Sequence, residues 1–232
     1  MNEITITYKP QIAYSECYVL PFFYFYNADN MAIMKTFKDK EFDLAIVDPP
    51  YGLGKKLAHA GNGKNAQSKF TKDFKAKNWD NEIPSNEYFE ELKRISKNQI
   101  IWGGNYFPLP PTRCFICWDK MVYIPSMSRI EQAWTSFDKL PQLVQYNNND
   151  SNRIHLTQKP VDLYEWILKN FANENDKILD THLGSGSIAI AIDKANTLDK
   201  KNLTFVGIEL DPDYFRAAVD RFKNHKKQGV LF

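Results

Sequence analysis

The 232-residue chain is 43% hydrophobic and 25% charged, with a formal net charge of only +2. Its length suits one domain with a full core, and its composition excludes a disordered chain or a fibre. The most apolar stretch, Cys17 to Tyr26, is about half of what a bilayer-spanning helix needs and contains Pro21, so no membrane partner is expected. The start, Met1-Asn2-Glu3, is not basic and leads into no signal-like segment, and three cysteines cannot all pair, which predicts a reduced, cytoplasmic protein.

In chain order, hydrophobic period predicts a strand over Phe22 to Tyr26, a helix over Asn30 to Lys38 and a strand over Phe42 to Asp48. The segment 55–81 fits neither period. Its stretch from Lys55 to Lys77 holds seven lysines against one acid, Asp73, among Gly, Asn and Ala. A loop that long inside a domain is more often a lid or binding loop than filler. A helix follows over Asn86 to Lys97, then strands over Gln99 to Gly103, Cys114 to Asp119 and Gln132 to Phe137. A helix over Pro160 to Ala172 opens with proline in a tolerated position. The last elements are strand Lys177 to Leu183, helix Ser187 to Asn196, strand Thr204 to Leu210 and helix Asp213 to Lys223. This alternation predicts a single α/β domain over 1–232, with a doubly wound, mostly parallel sheet of seven strands.

Two constellations carry chemistry. The first is the apolar strand ending in Asp48-Pro49-Pro50-Tyr51, a tetrapeptide expected by chance in roughly one chain of this length in a thousand. Ligands of open parallel sheets bind at the carboxyl ends of strands. The prolines stop the strand and fix the Asp48 carboxylate and the Pro49 carbonyl as two acceptors near one point, which suits the two hydrogens of an exocyclic amino group. Tyr51 offers a flat face for a base removed from its stack; a ring face is all that stacking needs, so Phe is expected to serve there. The second is the strand Lys177 to Leu183, which enters Gly184-Ser185-Gly186 and opens a small-residue helix. Such a turn lets a ligand approach the backbone and face a helix amino terminus. Glu209 ends the next strand, where a carboxylate accepts ribose hydroxyls.

These residues resemble the amino-group DNA methyltransferases that use S-adenosylmethionine. Asp48 to Tyr51 is similar to their catalytic motif and Asp180 to Gly186 to their glycine-rich cofactor motif. The order, catalytic motif first, matches the beta class. The resemblance extends to Tyr26-Asn27-Ala28-Asp29, to His155-Leu156-Thr157-Gln158-Lys159-Pro160, and to Ile101-Trp102-Gly103-Gly104-Asn105-Tyr106-Phe107, which is similar to a stretch of small phage and prophage adenine methylases. Two positions depart from the usual pattern: Thr181-His182 stands where the family has Pro-Phe, and Leu156 where it has proline.

The resemblance implies transfer of a methyl group from S-adenosylmethionine to adenine N6 of a flipped base in double-stranded DNA, with Asp48, Pro49, Pro50 and Tyr51 at the reacting centre. It implies a cofactor site of Asp29 at the adenine, Lys159 at the carboxylate and Glu209 at the ribose. With these go His155, Thr157, Asp180, His182, Gly184, Ser185 and Gly186, and Asp48 at the shared edge. For DNA, Lys55, Lys56, Lys64, Lys69 and Lys72 are expected at phosphates. Arg129 and Arg153 lie in or beside a short recognition region, 120–153, since arginine commonly reads guanine edges. No metal is expected: Cys114 and Cys117 have no second pair and fall on opposite faces of a strand. Cytosine-N4 transfer, a catalytically silent DNA-binding subunit and a nicotinamide-linked oxidoreductase are the alternatives. A homodimer and a cognate restriction endonuclease are left open as partners.

Overall fold

The computed structural model describes residues 14–53, 82–122, 128–148, 153–155 and 157–228. Among these residues, nine strands form one sheet: β1 (Glu16–Leu20), β2 (Phe23–Asn27), β3 (Phe42–Val47), β4 (Ser96–Trp102), β5 (Phe115–Asp119), β6 (Ile130–Thr135), β7 (Gln142–Gln145), β8 (Lys177–Asp180) and β9 (Thr204–Glu209). Their spatial order is β1-β2-β9-β8-β3-β4-β6-β5-β7. All but β1 and β6 run in one direction. The mostly parallel α/β architecture is as expected, but the sheet has two strands more than the seven predicted. Both additions are outermost: β1 has no fully buried residue, and in β7 only Val144 is buried, so neither shows a clear apolar period.

Among the described residues, five α-helices cover the two faces: α1 (Asn30–Met34), α2 (Asn86–Ile95), α3 (Val161–Phe171), α4 (Ser187–Leu198) and α5 (Pro212–Gln228). A strand buried on both sides reads as a continuous apolar run, and β3 is one. Its Leu44 and Ile46 pack with Leu163 and Ile167 of α3, Ile188 of α4 and Phe222 of α5. On the other face, Ala45 and Val47 pack with Ile33 and Met34 of α1 and Leu92 and Ile95 of α2. β4 starts earlier than predicted because α2 enters it without a loop. Ser96 is at once the C-cap of α2 and the first residue of β4, and Lys40 Nζ donates to the Lys93 carbonyl at 2.6 Å and the Ser96 carbonyl at 3.1 Å.

The winding reverses between β3 and β8: the chain steps from β3 to β4 on one side and from β8 to β9 on the other. These two strands pair only through Leu44↔Ile178 and Ala45↔Leu179, and then part. At their amino ends, Asp43 ties the strands together, accepting from Lys97 Nζ of β4 at 2.7 Å and from the Lys177 amide of β8 at 2.8 Å. A reversal of this kind opens a crevice at the carboxyl ends of the strands, where Asp48 and Asp180 stand. Among the described residues, no helix is long and apolar enough to cross a membrane.

Candidate active site

Asp48 leaves β3 at the crevice and both its carboxylate oxygens have internal donors. The Tyr51 hydroxyl donates to Oδ1 at 2.6 Å and Lys159 Nζ donates to Oδ2 at 2.5 Å. Burial and the Asp48 charge push the Tyr51 phenol well above its usual range, so it stays a donor. Lys159, just before α3, is buried. Burial pulls its ammonium down, but the Asp48 and Glu131 carboxylates outweigh this and its pKa is raised. Glu131, on β6, approaches Lys159 Nζ through Oε2 at 3.2 Å and Lys120 Nζ through Oε1 at 2.6 Å.

The Tyr51 ring lies parallel to Tyr106, 5.0 Å between centroids, and meets Phe107 edge-on at 6.1 Å. The bare Cα of Gly103 permits this: a Cβ there would stand 2.2 Å from Tyr51 Cε1, and its φ of +70° independently favours glycine. A Cβ on Gly104 would stand 2.4 Å from Trp134 Cβ. The Gly-Gly pair in the Ile101 to Phe107 stretch thus has a packing reason.

Beside this centre, Asp180 ends β8 and accepts the His182 amide at 2.9 Å; burial pushes its carboxyl up to about 8. Burial pushes the His182 imidazole down to about 3, keeping it neutral. Asn30 Nδ2 lies 3.0 Å from its Nε2 and Thr181 Oγ1 3.0 Å from its Nδ1. Glu209, at the end of β9, accepts the amides of Gly184 at 2.8 Å and Asp211 at 3.0 Å, and burial raises its pKa. Asn27 fastens the ends of β2 and β9 through the carbonyls of Glu209 and Leu210. Asp29 is exposed and caps α1, accepting the Ala32 amide at 2.8 Å.

The residues that resemblance assigned to the cofactor occupy different settings. Asp29, Asp180, His182, Gly184 and Glu209 line neighbouring strand ends. Ser185 is turned into the fold: its Oγ lies 3.0 Å from Ser187 Oγ, and Arg221 donates to its carbonyl at 2.9 Å. Gly186, with φ +69°, starts α4 against Ala218. His155 is buried against Tyr214, 4.4 Å between centroids, with Thr157 Oγ1 3.1 Å from its Nδ1. The donor set fits an adenosine-bearing methyl donor: Asp29 and Glu209 supply acceptors for hydroxyl and amino groups. At Gly184 a Cβ would meet nothing nearer than 3.7 Å, so the turn leaves room for a ligand.

Arg129, largely exposed, makes a two-point contact with Asp119, Nε to Oδ1 at 3.1 Å and Nη2 to Oδ2 at 2.8 Å, and holds that carboxyl well below its usual range. Arg153 is half-buried, in the segment leading to His155. Lys55, Lys56, Lys64, Lys69 and Lys72 lie outside the described residues. Among the described residues, no group of three or more His, Cys, Asp or Glu could hold a metal ion. Sequence reasoning missed Lys120 and Glu131 at the site and named Tyr106 only within the Ile101 to Phe107 stretch, without a role. Glu131 carried one available signal, an acid in an otherwise uncharged strand.

A family model described as DNA methylase, covering N6 and N4 enzymes, matches residues 101–220. The chain belongs to this DNA methylase family. As a DNA methylase, it is 25% identical over 218 residues to YubD of Escherichia coli K12, a candidate methylase, covering 85% of this chain and 88% of that one. It is 22% identical to the type II methyltransferase M.HpaI of Haemophilus parainfluenzae, covering 81% of this chain and 70% of that one. Two solved structures share the methylase's fold. The M1.HpyAVI complex with SAM superposes with a TM-score of 0.54 at 22% identity, covering 86% of this chain and 99% of that one. The cytosine-N4-specific PvuII DNA methyltransferase gives 0.56 at 14% identity, covering 90% of each. The fold is therefore that of DNA methyltransferases, and family membership makes this methylase an amino-group DNA methyltransferase.

Proposed function

We propose that this methylase transfers the methyl group of S-adenosylmethionine to the N6 amino group of an adenine flipped out of double-stranded DNA. The observation that carries the reading is Asp48: an acid at the switch point, stopped by two prolines, next to an aromatic face and beside the turn 180–184. Asp48 rather than serine at this position favours adenine over cytosine.

When bound, the cofactor supplies a methyl group activated by a positively charged sulfur. The chain's work is alignment and electrostatics. The N6 lone pair is delocalised into the purine ring, which makes the nitrogen a poor nucleophile. Asp48 and the Pro49 carbonyl accept its two hydrogens, favouring a pyramidal nitrogen with an exposed lone pair. A carboxylate offers about four acceptor positions, and Tyr51 and Lys159 use two of those on Asp48, so acceptor capacity remains. We assign Lys159 to holding Asp48, and Glu209 and Asp29 to the cofactor's hydroxyl and amino groups.

The test is to incubate the protein with labelled S-adenosylmethionine and DNA from a methylation-free host, then digest the DNA to nucleosides for mass spectrometry. N6-methyladenine is expected. Label in N4-methylcytosine would overturn the choice of base. Asp48→Asn should abolish transfer while cofactor binding, followed by calorimetry, stays within a few fold; full activity in that variant would remove Asp48 from the mechanism.

A further inference from the structure

Lys159 carries its ammonium into the protein with a side chain only 2% exposed, and a buried cation is costly unless paired. Asp48, at 2.5 Å, would suffice as its single counter-ion. A second carboxylate is nevertheless present: Glu131 Oε2 faces the same ammonium at 3.2 Å, and Glu131 Oε1 meets Lys120 at 2.6 Å. Two acids and two bases thus form a neutral row, Lys120, Glu131, Lys159, Asp48, running from the neighbouring strands β5 and β6 to the crevice. Glu131 Oε2 is buried without an aligned hydrogen bond, so it acts on Lys159 through charge.

We propose that Glu131 is a positioning residue for Asp48, acting through Lys159, with Lys120 balancing its charge. This rests on the reading of Asp48 as acceptor of the target amino group. Held between two carboxylates, the ammonium is fixed in place and its charge is divided, so Asp48 keeps negative character for the incoming amino hydrogen. Without Glu131, Asp48 is the one carboxylate left against Lys159 and is drawn toward it as a counter-ion. Among the described residues, Asp48 also acts on Tyr51, Tyr88 of α2, Tyr164 of α3 and Asp180 of β8. None of these supplies a second negative contact to Lys159 within ion-pair distance among the described residues.

The experiment is a double-mutant cycle on the full chain, with Glu131→Gln, Lys120→Met and the pair. Glu131→Gln should lower kcat about tenfold or more while KM for DNA and Kd for S-adenosylmethionine move less than about twofold. Adding Lys120→Met restores neutrality and should recover much of the melting temperature, but Lys159 still has Asp48 as its one carboxylate partner, so kcat should stay low. Glu131→Asp, which keeps the charge but withdraws it by one methylene, should fall between and serves if Glu131→Gln does not fold. Melting temperatures read the same cycle without turnover, and the pair should be less destabilised than the sum of its parts. Unchanged kcat in Glu131→Gln, full recovery of kcat in the pair, or additive melting shifts would overturn the inference and leave the proposed reaction standing. A wild-type chain that methylates cytosine would overturn the choice of adenine and leave this cycle fully readable.

Discussion

The Tyr51 hydroxyl donates to Asp48 Oδ1 at 2.6 Å, so the residue we propose to present a ring to the base also holds the carboxylate we propose to meet the base's amino group. Stacking alone would be served by phenylalanine, and the sequence points that way. The bond changes the expectation. Hydrogen bonds to a charged group are worth about 1.5–3 kcal/mol, so Tyr51→Phe should lose roughly tenfold or more in kcat with little change in DNA affinity. Tyr51→Ala should lose more, since the ring goes too. Single-turnover methylation of both variants decides; wild-type rates in Tyr51→Phe would reduce the residue to its ring.

Asp180 sets a pH dependence of unusual sign. Its folded carboxyl titrates at about 8 against an ordinary value of 3.8. The folded state therefore holds a proton that the unfolded chain releases. Its contribution is complete below about pH 4 and is lost as pH rises toward about 8, an effect on the order of a few kcal/mol. Asp180→Asn should flatten the fall in melting temperature between about pH 4 and pH 8. His182 works in the opposite window. Its folded value near 3 lies below the ordinary 6.5, so stability is full above about pH 6.5 and falls as pH drops toward 3, and His182→Phe should relieve that acid loss. Identical melting profiles in wild type and variants would refute both assignments.

Two glycine substitutions should separate folding from cofactor binding. Gly103→Ala drives a Cβ into the Tyr51 ring at a positive φ, and we expect a cost of about 2–4 kcal/mol together with loss of turnover. Gly184→Ala meets only ordinary contacts, so it should cost about 1 kcal/mol for its φ of +51°. Its larger effect should be weaker S-adenosylmethionine binding. Chemical denaturation and calorimetry on both variants would show whether the two effects divide in this way.

The lysine run and Arg129 should differ in kind. Neutralising three of Lys55, Lys56, Lys64, Lys69 and Lys72 should weaken binding to all DNA alike and flatten the log-log salt slope by roughly 2 to 3 units. Arg129→Ala should instead change which sites are modified. Asp119→Asn should follow it in part, because Asp119 fixes the guanidinium from one side. Salt titrations on a methylatable and an unrelated duplex provide the measurement. An unchanged slope in the triple lysine variant would rule out phosphate contacts.

What could be read from the sequence was local in the chain. Asp48 to Tyr51 spans four residues, and the prolines state their own effect. β3 and β9 announce themselves by apolar runs buried on both faces. Contacts between distant segments were illegible: the tie of Lys159 to Asp48 crosses 111 positions. Glu131 lay hidden because its partners, Lys120 and Lys159, come from a different strand end and a loop. β7 escaped because three of its four residues are not buried, leaving little apolar period to detect.

The tie at Asp43 has a mechanical meaning. β3 and β8 behave as the tines of a fork whose handle is pinned by Asp43 to Lys97 and Lys177, and whose contact ends after Ala45 and Leu179. The spread of the tips, which carry Asp48 and Asp180, is therefore set from the amino ends of the two strands. On the proposed reaction, substitution at Asp43, at the far end of β3 from Asp48, would let the gap between methyl donor and target drift, and the molecule would lose rate before it lost shape.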